Sequence, residues 1–304
     1  MRNIPHTSRT SQEGLEAAGK GLHRTVKDDA GNDVPNPKYE AYHAKENDMK
    51  TAYQEYDVHS VPCNLEELTA MPLSASERQG LRDLYDRKRP FLKNLWEEVA
   101  FQDGEYIMCP LCGQKVVEDL DHYIPRAKMP EYSVHLLNLI PTCHECNDDK
   151  DEYWLNENGD RLFFNAYFDE LDDLSQLLQC ELFIDADTGR PRVKVSFDDT
   201  AVAASGDIGR LVISTYDHIE SIRKQWRMKA TSVLKNQLRQ IKSSLAVRKR
   251  KGKYVEGDWN YEKETLVETI SDLEPFEFIE KVVYEKMLSS AELDAWIVEE
   301  AQAL

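Results

Sequence analysis

Residues 108–150 read MCPLCGQKVVEDLDHYIPRAKMPEYSVHLLNLIPTCHECNDDK and hold four of the chain's six cysteines, as Cys109-x-x-Cys112 and Cys143-x-x-Cys146. Two such pairs, separated by a longer loop, are what a tetrahedral Zn²⁺ asks for, because each pair bends the backbone into a knuckle that aims two thiolates at one point. A zinc ion held by four sulfurs has no open position, so it is structural and the chemistry lies elsewhere. Cys63 and Cys180 stand apart from the cluster and read as buried or idle. Thiols kept as metal ligands rather than disulfides point to a reducing, cytoplasmic setting.

Between the knuckles the pattern predicts a hairpin followed by a helix. Lys115-Val116-Val117 is one short β run, Leu120 to Ile124 a second, and Asn138-Leu139-Ile140-Pro141 extends into the second knuckle. The ordered residues Leu120-Asp121-His122-Tyr123-Ile124-Pro125, Asn138-Leu139-Ile140-Pro141 and Cys143-His144-Glu145-Cys146-Asn147-Asp148-Asp149-Lys150 resemble the HNH, or ββα-metal, nucleases in their four-cysteine zinc subtype. The resemblance implies a metal-dependent endonuclease that hydrolyses DNA phosphodiester bonds and leaves 5′-phosphate and 3′-hydroxyl ends.

Each role it implies meets a physical need. Phosphodiester hydrolysis needs a base for water and a cation to neutralise the phosphorane and the departing oxygen. His122, whose imidazole titrates near neutral pH, is the expected base. Asp121 and Asn147 offer hard oxygen ligands for Mg²⁺ or Mn²⁺. Asn138 is expected to hold the His-bearing loop through backbone hydrogen bonds. Asn147 stands where other members carry a histidine, which argues against a His-rich transition-metal site. Arg126, Lys128 and Lys150 are candidate phosphate contacts. His135 and His144 are read as packing or exposed residues rather than catalytic ones, and the acids Asp169, Glu170, Asp172 and Asp173 as a solvated face.

Working outward, residues 1–36 are polar, carry little periodicity and are expected to form a flexible arm. Residues 37–100 read as a helical segment. One helix runs from Pro37 to Tyr56, Leu65 to Leu68 reads as a short helical piece, and a longer stretch from Ser74 to about Val99 is capped by Ser74 and Glu77 and split by Pro90. The nuclease core is assigned to 101–165. Residues 166–304 form a mostly helical domain that opens with a hairpin of Leu177–Ile184 and Arg192–Phe197. One long amphipathic helix is expected over 207–251, and two or three acidic helices over 258–304. The expected class is α+β, mainly helical, with a zinc-braced ββα core.

With 304 residues and a formal charge of −18, the chain is an awkward match for nucleic acid, which is usually bound through Lys and Arg. The charge is segregated, however. Residues 223–253 contain no Asp or Glu, and Arg223, Arg227, Lys235, Arg239, Lys242, Arg248, Lys249 and Arg250 lie there as candidate contacts. Either this segment meets nucleic acid, or the acidic helices neutralise it internally, or a partner supplies the affinity. No apolar run approaches membrane-spanning length. One such site cuts one strand, so a duplex break calls for a homodimer, two nicks or a single-stranded substrate. The run Asp121–Arg126 with Met129-Pro130-Glu131-Tyr132 is similar to nucleases of prokaryotic anti-phage systems, of the Septu type or associated with retrons, which implies an ATPase partner. The alternatives are an RNA-cutting HNH effector and an inactive zinc-stapled adaptor.

Overall fold

A computed structural model describes residues 1–255, 259–274 and 276–303. It is α+β, about half helical, and its strands form four separate two-stranded antiparallel pairs. In chain order, α1 (Ser11–Gly19), β1 (Thr25–Lys27), β2 (Asp33–Pro35) and α2 (Pro37–Ser60) precede α3 (Ala75–Arg82) and α4 (Pro90–Ala100). The minimal pair β3 (Phe101–Gln102) and β4 (Glu105–Tyr106) leads into β5 (Asp119–His122), β6 (Leu139–Thr142) and α5 (His144–Lys150). Then come β7 (Leu178–Ile184), β8 (Pro191–Phe197), α6 (Asp199–Ala204), α7 (Gly206–His218), α8 (Glu220–Arg250), α9 (Asn260–Ser271), α10 (Phe278–Ser289) and α11 (Ala291–Gln302).

Several boundaries follow directly from side-chain chemistry. Ser74 and Glu77 close a reciprocal capping box on α3, worth about 1 kcal/mol. Pro90 opens α4 instead of interrupting a longer helix, because its ring and missing N–H are tolerated only in a first turn. Leu65–Glu67 forms a single 3₁₀ turn.

Four expectations are corrected. Residues 1–36 are not a featureless arm. Thr10 and Glu13 cap α1, Leu15 and Ala18 are buried, and Arg2 and Ile4 donate their amides to Pro110 and Ala166. The strand from Leu120 pairs with β6 rather than with 115–117, so that His122 faces Leu139 and Asp119 faces Thr142. Glu118-Asp119 lacks the Gly or Asn a two-residue hairpin turn needs, and Val116 makes only one bridge, to Met108. The long helix over 207–251 is broken at Ile219, which takes an extended backbone and sends its side chain fully into the core before α8 begins. Of the acidic helices, the second starts at Phe278; Pro275, where it was expected to open, lies outside the described residues.

The core is continuous from α2 through the knuckles to α8. Met49, Tyr53 and Tyr56 of α2 are buried together with Tyr132 and Leu136, while Trp226 of α8 packs on Phe197, Tyr216 and Phe278. Each such fully buried aliphatic or aromatic side chain contributes about 1.5–3 kcal/mol of transfer free energy.

Candidate metal and nucleolytic site

The four thiols of Cys109, Cys112, Cys143 and Cys146 are buried and lie within 4.8 Å of one another. A tetrahedral zinc with bonds of about 2.3 Å has sulfur–sulfur edges of about 3.8 Å. Cys112 Sγ and Cys143 Sγ are 3.8 Å apart, so the cage has the size of a structural zinc site. Local hydrogen bonds shape the first knuckle: Cys109 N donates to Lys115 O and Gly113 N to Cys109 O. Gly113 has φ +66°, and a Cβ there would come 2.7 Å from the Phe278 ring, so only glycine fits this turn. Cys143 is the N-cap of α5, and Cys146 rides on it. Lys115 pairs with Glu145 across the two knuckles. The indole of Trp226 donates to Cys112 O at 2.9 Å, which ties α8 to the first knuckle.

Because the second knuckle starts α5 directly after β6, this brace sets α5 beside β5, and an open cavity of about 430 Å³ lies between them. Asp119, Asp121 and His122 of β5, Asn147 and His144 of α5, and Arg126 line it, together with Arg82, Tyr85 and Arg87 from the α3–α4 region.

His122 Nε2 lies 2.9 Å from the carbonyl oxygen of Ser133. A carbonyl can only accept, so Nε2 carries the proton and Nδ1 is left as the basic nitrogen. The ring is part-exposed at the cavity wall and packs edge-on against Tyr85. Enclosure by protein lowers its pKa to about 3, with the cations Arg126 and Lys150 acting in the same direction and the Ser133 bond opposing them. The imidazole is therefore neutral at physiological pH.

Asn138 is wholly buried and touches nothing in the cavity. Its Nδ2 donates to Ile124 O and Tyr132 O, and its Oδ1 accepts from Ile124 N and from Tyr56 Oη. One amide thus closes the loop between β5 and β6 on itself and on α2.

Asp121 is almost buried. Lys150 Nζ lies 3.1 Å from its Oδ2 and 3.2 Å from its Oδ1, and also donates to His122 O at 2.8 Å. Burial raises the Asp121 pKa, and the charge of Lys150 works against that rise. Lys150, read from sequence as a phosphate contact, is itself buried, and its ammonium is engaged here rather than offered to solvent. A lysine three residues after a candidate ligand looks like a solvated charge in sequence; only the strand–helix juxtaposition reveals its partner.

Sequence reasoning passed over Asp119, Arg82 and Arg87; His144, read as exposed, is exposed but also lines the cavity. Asp119 Oδ2 lies 3.0 Å from His144 Nδ1 and 3.4 Å from Asn147 Nδ2, while its Oδ1 pairs with Arg87. The contact with Asp119 raises the His144 pKa. The signal was the period of two in Asp119-x-Asp121, which sets both carboxylates on one side of β5. Arg126 and Lys128 are exposed, with Arg126 over the Tyr85 ring. His135, by contrast, is buried among Tyr53, Tyr56 and Tyr132, with Asp57 3.3 Å from its Nε2.

The basic residues of α8 divide into two sets. Lys229 pairs with Glu280, Lys242 with Glu300 and Arg248 with Glu262, while Lys249 donates to Ala301 O and Arg223 to the carbonyls of Tyr216 and Asp217. The acidic helices thus neutralise Lys242 and Arg248 of the face expected to meet nucleic acid, and Lys229 beside them. Lys224, Arg227, Lys235, Arg239 and Arg250 are exposed, and none is ion-paired among the described residues. No described helix is long and apolar enough to cross a membrane.

No family model matches the chain, and no solved structure matches it. The protein ea31 of Escherichia phage lambda is 33% identical to it over 81 residues, 26% of this chain and 25% of ea31. The similarity therefore spans about a quarter of that relative's length.

Proposed function

We propose that the protein is a zinc-braced, metal-dependent endonuclease of the HNH type that hydrolyses phosphodiester bonds in DNA. One observation carries the reading: a neutral histidine with a defined free nitrogen, the carboxylates of Asp119 and Asp121, the amide of Asn147 and three arginines share one open cavity, whose rim also carries Asp148, Asp151 and Glu152. This is the set that hydrolysis of a phosphodiester requires, and a zinc-stapled adaptor has no use for it.

His122 Nδ1 takes the proton from the attacking water, and the Ser133 carbonyl fixes its tautomer and steadies the imidazolium that forms. Arg82, Arg87 and Arg126 hold the phosphate oxygens and orient the scissile bond. A divalent cation, bound by the oxygen donors of β5 and Asn147, would neutralise charge on the phosphorane and the departing 3′ oxygen. Asn138 keeps the His122 loop closed without touching substrate. The exposed residues Lys224, Arg227, Lys235 and Arg239 extend phosphate contact beyond the cavity. The ATPase partner in anti-phage defence rests on the sequence resemblance alone.

The test is incubation of the zinc-loaded protein with supercoiled plasmid and, in parallel, with structured RNA, in Mg²⁺, Mn²⁺ or EDTA, beside His122→Ala. Metal-dependent nicking of the plasmid, lost in the folded variant, is expected. Cleavage of RNA alone would replace the substrate, and cleavage undiminished in His122→Ala would overturn the assignment of the base.

A further inference from the structure

We infer that the DNA strand entering the cavity is unpaired on its α4 side, where a groove continuous with the cavity and paved with aromatic rings takes its bases by stacking; the inference rests on the nuclease reading for what happens in the cavity and names single-stranded DNA as what enters it.

A second, smaller cavity of about 180 Å³ adjoins the first, and Arg87 and Leu120 line both. Leu92 and Leu120 are buried beneath it, while Lys93, Trp96 and Glu97, at i, i+3 and i+4 of α4, bring a cation, an indole and a carboxylate to one helix face. The volume is below the roughly 300–1,000 Å³ of a small-molecule site, so the groove suits one flat ring rather than a whole metabolite. From Trp96 the aromatic surface continues outward. The Tyr106 ring lies 6.0 Å from that of Trp96 and the Phe101 ring 5.2 Å from that of Tyr106, and the two residues remain 47% and 39% exposed. Phe101 and Tyr106 stand directly opposite each other on β3 and β4, whose turn at Asp103-Gly104 has φ of +51° and +89°. A two-residue turn with both φ positive matches the twist of its strands, so the pair forms a firm ledge.

The surrounding charge selects the form of nucleic acid. A duplex carries one negative charge per about 1.7 Å of axis and has to be met by rows of cations. Here Lys93 is exposed and Arg87 is bound to Asp119, while Glu97, Asp103 and Glu105 stand exposed alongside. A row of phosphates laid over this surface meets at least as much negative charge as positive. A single strand instead turns its bases to the rings, gains stacking that tolerates any sequence, and needs a cation only where it passes Lys93 towards Arg87 and the cavity. The shared wall at Arg87 favours such a strand over a protein partner, which gains nothing from running into a phosphate site.

Fluorescence anisotropy of a labelled DNA strand, alone and annealed to its complement, is read against the zinc-loaded full chain without added Mg²⁺ or Mn²⁺, for the wild type, Trp96→Ala, Tyr106→Ser and Lys93→Gln. The lone strand is expected to bind roughly tenfold or more tightly than the duplex. Trp96→Ala and Tyr106→Ser should each weaken strand binding roughly fivefold or more without changing its salt dependence, whereas Lys93→Gln should lower the salt slope by about 0.7. Tyr106 lies on the surface, so its variant keeps the test decisive if Trp96→Ala disturbs the fold. Duplex bound as tightly as the strand, or strand binding by Tyr106→Ser equal to wild type, overturns the groove and leaves the exposed rings to a protein partner. Cleavage in Mg²⁺ or Mn²⁺ on the same samples separates the two ideas: His122-dependent cleavage with strand binding unaltered in Tyr106→Ser leaves the nuclease standing without this groove, and variant-sensitive strand binding without cleavage of any nucleic acid does the reverse.

Discussion

Between Met108 and Lys150 most polar groups meet partners within the same stretch, whereas Lys242 of α8 meets its acid in Glu300, 58 residues further along the chain. The first region closes largely on itself, through a thiol cage, one buried amide and one buried ion pair. In the second, folding brings together charges that the sequence keeps in separate blocks. A block of lysine and arginine is thus a poor guide to a basic surface when an acidic block follows it, because the two can pair with each other. A pair of cysteine knuckles is a good guide to a cage, because the geometry of each is set within a few residues.

That contrast can be broken by experiment. The largest effect is expected from removing the metal. Structural zinc contributes about 10–16 kcal/mol of binding free energy, which rivals the stability of a whole domain at about 5–15 kcal/mol. Cys112→Ser, or zinc withdrawal by a strong chelator, should therefore abolish cooperative melting of the knuckle region, as followed by zinc content and circular dichroism. A native melt in metal-free protein would show that the cage is ornamental. Next, Lys150→Met leaves Asp121 as a buried charge without its partner and should cost roughly 3–5 kcal/mol in urea unfolding, most of it regained in the double variant Lys150→Met/Asp121→Asn. The smallest effect on stability, within about 0.5 kcal/mol, is expected when Lys224, Arg227, Lys235 and Arg239 are all changed to Gln. Under the proposed function the same change should lower the salt dependence of nucleic-acid binding by about one unit of slope for each phosphate that α8 no longer neutralises. An unchanged slope would leave α8 as scaffold only.

What could be read from sequence follows the same division. The α3 cap at Ser74, the break at Pro90 and the β7–β8 hairpin were legible because each depends on a few adjacent residues. The grouping of Asp121, His122 and Asn147 around one cavity was legible as a motif, but not the buried ion pair that occupies Asp121. Lys150 and Asp119 owe their surroundings to the way β5 lies against α5, an arrangement no local pattern encodes. Residues 1–36 were misjudged for a different reason: the Thr10 and Glu13 cap was present in the sequence, but α1 is too short to show a convincing apolar stripe, and Leu15 and Ala18 gain their meaning only against α2 and α4.

The attachments of α8 carry a mechanical consequence. Near its start Ser221 N is held by Asp149 of α5 and Trp226 by the carbonyl of Cys112, and towards its end Arg248 and Lys249 are held by Glu262 and Ala301. Its 31 residues span about 46 Å at 1.5 Å per residue. The helix is a strut fastened at both ends, which ties the C-terminal helices to the first zinc knuckle across its whole length.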